Sequence, residues 1–371
     1  MILHRGGPMV QPDRPSLKKV LQFFEFKNGD LSQILKAAIE QKLVPAPLTQ
    51  RKGPFTHEYY PAEDIPLVGQ HLGFLKKWPR PMSMAFFTTK GGVLKTTLTL
   101  NFARTLALHG LKVVVVGLDM QGDITRALGH QVVSDDENLS LDQMIEASLQ
   151  TPGLYDLFTG RAKIEELVVP LTPYLHLIPE TPELAALNDQ LFNVNRREYW
   201  LLEKVIRPLK QKYDCVLMDC SPNWNRLATN ALVACDALLS PLECKINNFR
   251  NFQVFERFIG EFRQEMQLQF SQFFIPTLYS GQKKLSMDIR NWYHANLVGC
   301  LKSGLRETTV SEEASAMNLS IIEHAPSSPV ALEMKEILSE VMDSLLEKPC
   351  SPVDFLRQKG DPQQIRSTSL S

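Results

Sequence analysis

The sequence lacks the segments that would carry the chain into or across a membrane. None of its apolar runs approaches the roughly 20 residues that a helix needs to span a bilayer. Residues 1–8 contain a histidine, an arginine and two glycines but no apolar core of a signal peptide, so secretion is not predicted. We therefore expect a cytoplasmic protein.

Cysteine is also scarce, and its spacing is not that of a metal site. The chain has 6 cysteines in 371 residues, and none of them forms the paired pattern of a zinc-binding module. Several lie in apolar, strand-like runs, where a free cysteine behaves as a small hydrophobic residue. The sequence thus predicts neither zinc nor disulfide bonds.

Charge is almost balanced overall but uneven along the chain. The formal net charge is −1, yet residues 1–80 hold 12 Lys and Arg against 7 Asp and Glu. A basic excess in an N-terminal module fits a phosphate-backbone partner, although most basic faces are simply solvated. The length favours a core domain of ordinary size with an additional module.

The most informative segment joins an apolar run at 84–87 to a helical pattern that starts near residue 98. It reads Lys90-Gly91-Gly92-Val93-Leu94-Lys95-Thr96-Thr97. Backbone N–H groups at a helix N-terminus can cradle phosphate, and a lysine and a hydroxyl at fixed offsets complete the β/γ-phosphate and Mg²⁺ contacts. The general pattern has glycine before the lysine, where this chain has Leu94. A plain Gly-Gly turn is the alternative.

Two later segments strengthen the phosphate-loop interpretation. Residues 113–122 contain an apolar strand pattern that leads into Gly117-Leu118-Asp119, and residues 213–222 contain a second one that ends at Asp219. Together the three motifs resemble the deviant Walker ATPases of the ParA/MinD group. That family has Lys-Gly-Gly-Val-Gly-Lys-Thr-Thr, Asp-x-Asp-Pro-Gln-Gly and Tyr-Asp-x-x-x-x-Asp-x-x-Pro in this order. The resemblance covers about residues 82–345.

The resemblance implies a role for each matched residue. Lys95 would lie along the β/γ-phosphates, Thr96 would bind Mg²⁺, and Asp219 would hold the water shell of the metal. Asp119 would orient the attacking water, and Lys90 would cross a dimer interface to the nucleotide of the partner. The expected catalytic residues are Lys90, Lys95 and Asp119, and the expected ATP contacts are Lys90, Gly91, Gly92, Val93, Leu94, Lys95, Thr96 and Thr97.

The chain departs from the family pattern at three positions. Leu94 puts a side chain where glycine normally lets the backbone approach phosphate. Gly117 replaces the first aspartate and Met120 replaces the proline, whereas Asp119 is retained. The larger ParA proteins vary at the Leu94 position and keep ATPase activity, which favours an enzyme. A nucleotide-free DNA-binding repressor with a degenerate loop is the alternative.

The N-terminal pattern predicts a small module of its own. A first helix is expected over 16–26, and Asp30 is placed to cap a second one. Residues 51–60 combine a basic turn with an aromatic strand, and a further helix follows. This order resembles a MerR-like winged helix-turn-helix with the basic turn as wing and Tyr59 or Tyr60 as its anchor. A helical cap that only packs on the ATPase domain is the alternative.

The rest of the chain alternates between strands and helices. Strands are predicted at 83–88, 113–118, 175–178, 215–219, 237–241, 272–278 and 319–322. This alternation predicts an α/β, mostly parallel layered sheet of the P-loop NTPase type, with its ligand at the carboxyl ends of the strands. The expected domains are a winged helix-turn-helix (1–80), a deviant Walker ATPase (81–347) and a disordered tail (348–371).

The apolar face at 330–345 allows two interpretations. It could lie on a membrane, as in a MinD-like membrane-cycling ATPase, or pack in the core. Its polar side is acidic, where anionic lipid would require lysine, so core packing and no membrane partner are expected.

The whole pattern resembles that of an ATP-dependent DNA partition protein. Such a protein would use ATP and Mg²⁺, form a homodimer with ATP and bind nonspecific DNA on the nucleoid. A centromere-binding ParB-like partner would stimulate hydrolysis, and the N-terminal module would repress its own operon. Basic residues that are candidates for nonspecific DNA contacts are Lys283, Lys284, Lys302 and Arg306.

Overall fold

The structure is a computed structural model that describes residues 14–27, 29–75, 80–130 and 151–346. The tail predicted at 348–371 lies outside the described residues. No helix among the described residues has the length and apolar character that crossing a bilayer requires.

The N-terminal elements are two helices, a hairpin and a third helix. The sequence predicts the helices and the aromatic strand, but not the first strand of the hairpin. Their bounds are α1 (Leu17–Phe24), α2 (Leu31–Glu40), β1 (Leu48–Lys52), β2 (Phe55–Tyr59) and α3 (Ile65–Leu72). Asp30 caps α2, since its carboxylate accepts the N–H groups of Ser32 and Gln33 at 3.0 and 3.3 Å. Gly53, with a φ of 63°, precedes Pro54 in the two-residue turn between β1 and β2. A glycine at this first position suits a tight hairpin turn.

Of the two candidate anchors of the hairpin, Tyr60 is the buried one. Its hydroxyl donates to the carbonyl of Pro45 at 2.9 Å, and its side chain is fully enclosed. Tyr59 instead contacts Arg14, which donates to the tyrosine hydroxyl at 3.2 Å. Tyr60 therefore ties the end of β2 to the segment that precedes β1.

The N-terminal module packs tightly on the larger domain. Phe24 of α1 and Val68 of α3 are buried in the same hydrophobic core as residues of the larger domain. At Gly69, a Cβ atom would lie 1.9 Å from the carbonyl oxygen of Leu108, so only glycine permits this approach of the two backbones. The N-terminal module therefore packs on the larger domain, as the helical-cap alternative predicts. This packing does not exclude DNA binding by the same module.

The central sheet has eight strands. They are β3 (Met82–Phe86), β4 (Val113–Leu118), β5 (Val169–Pro170), β6 (Leu175–Ile178), β7 (Cys215–Cys220), β8 (Ala237–Glu243), β9 (Ser271–Tyr279) and β10 (Leu305–Arg306). Their order is β10-β9-β8-β3-β7-β4-β6-β5, and every pairing is parallel except that of β5 with β6. The residues of β3, β4, β7 and β8 are all buried, as continuous apolar runs predict for inner parallel strands. The predicted mostly parallel, layered α/β fold is confirmed.

Helices cover the sheet. They are α4 (Lys95–Leu108), α5 (Asp123–Ala127), α6 (Leu154–Thr159), α7 (Leu184–Gln190), α8 (Arg207–Leu209), α9 (Arg226–Ala234), α10 (Ile246–Glu265), α11 (Lys284–Asn296), α12 (Val310–Ala316), α13 (Ile321–His324) and α14 (Pro329–Leu346). A π-helical turn, Leu202–Ile206, leads into α8.

One predicted strand is wrong. Residues 319–322 do not extend the sheet but lead into α13, because Ser320 accepts the N–H of Glu323 while the Glu323 carboxylate accepts the N–H of Ser320. This reciprocal capping box starts a helix, and its Ser-x-x-Glu spacing was readable in the sequence. The two-residue edge strands β5 and β10 were not predicted, since so short a run carries no periodicity.

The C-terminal helix α14 packs into the core, as expected. Val330, Met334 and Leu338 belong to the main hydrophobic core and are at most 2% exposed. The alternative of a membrane-lying helix at 330–345 is wrong, because the apolar face that it requires is already covered by protein.

Candidate nucleotide site

The sheet topology brings the three sequence motifs to one edge. β3 lies between β7 and β8, so the loop after it sits over the middle of the sheet. Phe86 of β3 and Gly117 of β4 are both in register with Asp219 of β7. The Gly-Gly loop, the end of β4 and the end of β7 therefore meet at the carboxyl ends of the strands, where parallel sheets bind ligands.

Two residues of the loop adopt a left-handed backbone. Gly92 has a φ of 70°, and Leu94 has a φ of 71° and a ψ of 28° immediately before α4. For leucine this conformation costs about 1 kcal/mol or more, since its Cβ crowds the backbone. The Leu94 side chain packs against the main core and lines the adjoining cavity. The loop thus keeps the left-handed backbone that a glycine normally supplies, with a strained leucine in its place.

Lys95 opens α4 and points back into the loop. Its ammonium donates to the carbonyl of Lys90 at 2.9 Å, and the residue is only 7% exposed. Burial lowers the pKa of Lys95, which the nearby Asp219 and Asp119 counteract. A lysine curled over a loop at a helix N-terminus is placed to meet phosphate oxygens.

Asp219 is held by two threonine hydroxyl groups of α4. Thr96 donates to its Oδ2 and Thr99 to its Oδ1, each at 2.8 Å. Burial raises the pKa of Asp219 to about 6, against the opposing effect of these hydrogen bonds and of Lys95. The Thr96–Asp219 pair offers the hard oxygen ligands that Mg²⁺ prefers.

Protein groups by themselves do not form a complete metal site here. In the part of the chain that the structure describes, no cluster of three or more His, Cys, Asp or Glu side chains could hold a metal ion. Mg²⁺ usually keeps several waters and takes phosphate oxygens beside one or two carboxylates. The donor set of Thr96 and Asp219 fits that kind of binding.

Asp119 follows β4 and is partly exposed. Its Oδ1 accepts the N–H of Gln121 at 3.2 Å, which shapes the turn toward α5. This places the carboxylate at the same sheet edge as Asp219, so the predicted water-orienting residue is at the correct end of the sheet. Its catalytic role stays a prediction.

Lys90 contacts its own chain. Its ammonium lies 2.9 Å from Oε2 of Glu243, at the end of β8, and its side chain is 35% exposed. Glu243 is nearly buried and also pairs with Lys245 at 2.6 Å. The role predicted for Lys90 across a dimer interface would require it to leave Glu243.

Sequence reasoning missed Glu180, which follows β6 and is 4% exposed. Its carboxylate accepts hydrogen bonds from the backbone of Asp119 and from Thr125. Burial and, next, Asp219 raise its pKa to about 8. The sequence contains one sign of such a neighbour, which is Gly117. A glycine where the family has an acid leaves space for a neighbouring side chain.

A cavity of about 880 Å³ adjoins the loop. Leu94, Thr96 and Thr97 line it on one side, and residues 306–309 line it on another. Arg306, a candidate DNA contact, donates to Glu333 from Nε at 2.7 Å, so it is tied to α14 instead of extending freely. The cavity is large enough for the base and sugar of a nucleotide whose phosphates lie in the loop.

Comparison with known proteins gives one family and a consistent set of relatives. The AAA domain family matches residues 82–271. The chromosome partitioning protein ParA of Myxococcus xanthus is 34% identical over 157 residues, which cover 42% of this chain and 50% of the relative. The chain therefore spans about half the length of that curated relative. The chromosome-partitioning ATPase Soj of Thermus thermophilus is 27% identical over 266 residues, covering 71% of this chain and 96% of the relative.

Among solved structures, the cobyrinic acid a,c-diamide synthase of Mycobacterium smegmatis, with bound ATP analog and magnesium, has a TM-score of 0.58. It is 23% identical, and the match covers 72% of this chain and 96% of that chain. At this identity the likeness shows the fold alone. The family match covers about half of the chain and includes all three phosphate-site motifs, and the ParA and Soj relatives agree with it. The chain therefore belongs to the AAA domain family, as a ParA-type member of the deviant Walker group.

Proposed function

We propose that this chain binds ATP with Mg²⁺ and hydrolyses ATP to ADP and phosphate. The observation that carries the proposal is the arrangement of Lys95 and Thr96 at the start of α4. Lys95 turns its ammonium into the Gly-Gly loop, while Thr96 holds the buried Asp219 at 2.8 Å. The ATP analog and magnesium bound by the Mycobacterium smegmatis neighbour support ATP and Mg²⁺ as the ligands.

Each group at the site has a chemical task in this proposal. The amides of 91–97 and the Lys95 ammonium bind and orient the phosphates, with Thr96 and Asp219 holding the metal. Mg²⁺ held by these two residues would neutralise negative charge on the phosphates. Asp119 orients the attacking water, and Lys90 serves the nucleotide of the second subunit, so hydrolysis requires a homodimer.

Equilibrium binding of a fluorescent ATP analogue tests the nucleotide site. Lys95→Ala should weaken binding by about 100-fold, since charge-assisted contacts to phosphate are strong. Lys284→Ala, at an exposed lysine of α11, is the matched control and should bind as the wild type does. Equal, weak binding by the wild type and Lys95→Ala would contradict the proposal and favour the nucleotide-free repressor with a degenerate loop.

We further propose that the protein acts in DNA partition, in the cytoplasm and on the nucleoid. ATP binding would favour the dimer that grips DNA nonspecifically, and hydrolysis stimulated by a ParB-like partner would release it. The names of the Myxococcus xanthus and Thermus thermophilus relatives, a chromosome partitioning protein and a chromosome-partitioning ATPase, support a role in chromosome segregation. Retention of a random-sequence duplex should require ATP and fall as salt is added. Retention that is independent of ATP would contradict this mechanism.

The N-terminal module, about residues 1–80, is proposed to bind the operator of its own operon. α2 presents the exposed side chains of Ser32, Gln33 and Lys36, and Arg51 is exposed on the hairpin that follows α2 in the sequence. In winged helix-turn-helix modules, polar side chains of a helix contact the bases in a groove, and basic side chains of the hairpin contact phosphates. Footprinting of the DNA upstream of its own gene tests this repressor role.

A further inference from the structure

The end of β4 carries no carboxylate, although the resembled family has its first aspartate there. Gly117 occupies that position and is in register with Asp219 of β7. A Cβ atom added at Gly117 would lie 2.2 Å from Cγ and 2.7 Å from Cδ of Glu180. The space that an aspartate at this position needs is therefore already filled by an acidic side chain from a different strand end.

Glu180 holds both ends of the turn that contains Asp119. Its Oε1 accepts the N–H of Asp119 at 3.3 Å. Its Oε2 accepts the N–H and the hydroxyl of Thr125 at 3.2 and 3.0 Å, while the N–H of Glu180 donates to the same hydroxyl at 3.0 Å. One buried carboxylate thus fixes the backbone at the start of the turn and at the first turn of α5.

The surroundings of Glu180 are those of a functional acid and not of a structural ion pair. No Lys or Arg among the described residues forms a salt bridge with it. The charged groups that raise its pKa, beside burial, are Asp219 and Asp119, which are also acidic. A buried acid beside other acids costs stability, and such groups cluster where a site needs them.

We infer that Glu180 is a positioning residue for Asp119, and that it supplies from the end of β6 the carboxyl group that Gly117 does not carry at the end of β4. This inference rests on the proposed ATP hydrolysis, because Asp119 acts only in that reaction. It adds a residue that the family motifs do not contain, and it explains why this chain tolerates glycine at the position.

A set of paired substitutions separates the carboxylate from the packing. Gly117→Asp with Glu180→Ala moves the acid back to β4 and removes the clash. Gly117→Ala with Glu180→Ala is the matched control, which removes the same clash but restores no acid. Glu180→Gln keeps the shape but replaces one carboxyl oxygen with an NH2 group that cannot accept a hydrogen bond, so either the Asp119 or the Thr125 contact is lost.

Hydrolysis and nucleotide affinity give the first readout. Glu180→Ala and Glu180→Gln should lower kcat about 10- to 100-fold, as loss of an outer-shell partner does. Affinity for a fluorescent ATP analogue should change less than about twofold, because the phosphate contacts stay in place. Gly117→Asp/Glu180→Ala should recover kcat to within about fivefold of the wild type, whereas Gly117→Ala/Glu180→Ala should remain as low as Glu180→Ala.

Thermal unfolding without nucleotide gives a second readout that does not depend on activity. Gly117→Ala should lower the unfolding midpoint by several degrees when Glu180 is present, because of the 2.2 Å contact, and by less when residue 180 is alanine. Additive midpoints would show that the two positions do not share one space, which would overturn the inference.

The outcomes also separate this inference from the proposed function. A wild type that binds the analogue and hydrolyses ATP, with Glu180→Ala equally active, would overturn the inference and leave the ATPase intact. Equal kcat values for the two double variants would overturn it as well, since the acid would then have no role. A wild type that binds no nucleotide would contradict the proposed function and, with it, the role of Glu180 toward Asp119.

Discussion

The regions proposed for ATP and for DNA differ in where their polar groups lie. At the nucleotide site, Lys95, Asp219 and Glu180 are each less than 10% exposed, and each is hydrogen-bonded to another part of the same edge. In the N-terminal module, Ser32 and Arg51 are exposed on a capped helix and a short hairpin. These side chains are exposed to solvent, and the helix and hairpin that carry them are stabilised by backbone hydrogen bonds and core packing.

This difference determines how function depends on the fold in each region. Buried polar groups that hold one another are costly to disturb, because a lost partner leaves a desolvated group behind. Exposed groups on a stable element can be replaced with little effect on stability. Substitutions at the nucleotide edge should therefore change function and stability together, and substitutions on the DNA-facing surface should change function alone.

The largest effect is expected for Asp219→Asn. Asparagine is neutral and of the same shape, but it cannot replace the carboxylate toward Mg²⁺. Hydrolysis should fall more than about 100-fold, because charge stabilisation at the metal is lost. Stabilisation by Mg²⁺-ATP in thermal unfolding should disappear as well. Asp288→Asn, at an exposed position of α11, is the control and should keep both properties.

The same substitution should stabilise the protein when no nucleotide is present. The pKa of Asp219 rises from 3.8 to about 6 on folding, so the fold favours the protonated acid. That stabilisation is complete below the unfolded pKa and is lost as pH rises through about 6. At pH 8 the buried anion costs of the order of 1–3 kcal/mol, which Asp219→Asn removes. A lower unfolding midpoint than the wild type at pH 8 would contradict this account.

The attachment of the N-terminal module can be weakened separately. Lys335 of α14 donates to the carbonyl oxygens of Gln22 and Glu25, at 2.7 and 2.8 Å, at the end of α1. Lys335→Met should lower the free energy of unfolding by about 1 kcal/mol, because two hydrogen bonds are lost. The loss is partly offset because the variant no longer buries a charged group; burial lowers the pKa of Lys335 to about 8. Hydrogen exchange should accelerate in α1 while ATP binding is unchanged. Lys302→Met serves as the exposed control, and unchanged exchange in α1 would show that this contact is dispensable.

A smaller effect is expected from releasing Lys90. Glu243→Gln removes the negative charge that holds the Lys90 ammonium at 2.9 Å. If Lys90 must leave Glu243 to contact the nucleotide of a second subunit, this variant should form a dimer with a few-fold lower Kd when a non-hydrolysable ATP analogue is present. Sedimentation equilibrium measures the change, with Glu165→Gln as control, because Glu165 also pairs with a lysine, Lys212, at 2.9 Å and does not line the cavity beside the loop. Weaker dimerisation would indicate that Glu243 itself supports the interface.

The parts of the molecule that were predictable from sequence are those with a local signal. The inner strands were readable because a buried parallel strand is apolar throughout, and Asp30 and the residues around Lys95 are marked by short motifs. The helix at Ile321–His324 was missed although its capping box is local, since a short apolar run fits a strand equally well. Gly117 signals space at the end of β4, but the sequence does not show that Glu180 fills it, because the contacts of Glu180 with Asp119 and Gly117 join strand ends that are about 60 residues apart in sequence.

The smallest effect on the fold, and the sharpest test of the comparison, is expected for Arg51→Ala on the hairpin. Arg51 is exposed and makes no contact that the core depends on, so the unfolding free energy should change by less than about 0.5 kcal/mol. Binding to the duplex upstream of its own gene should weaken several-fold, and the slope of log affinity against log salt should fall by about 1, as for the loss of one phosphate contact. Arg257→Ala, at an exposed arginine of α10, should leave this binding as it is. A loss of stability with unchanged DNA binding would reverse the comparison, since it would make the hairpin a structural cap and not a surface for DNA.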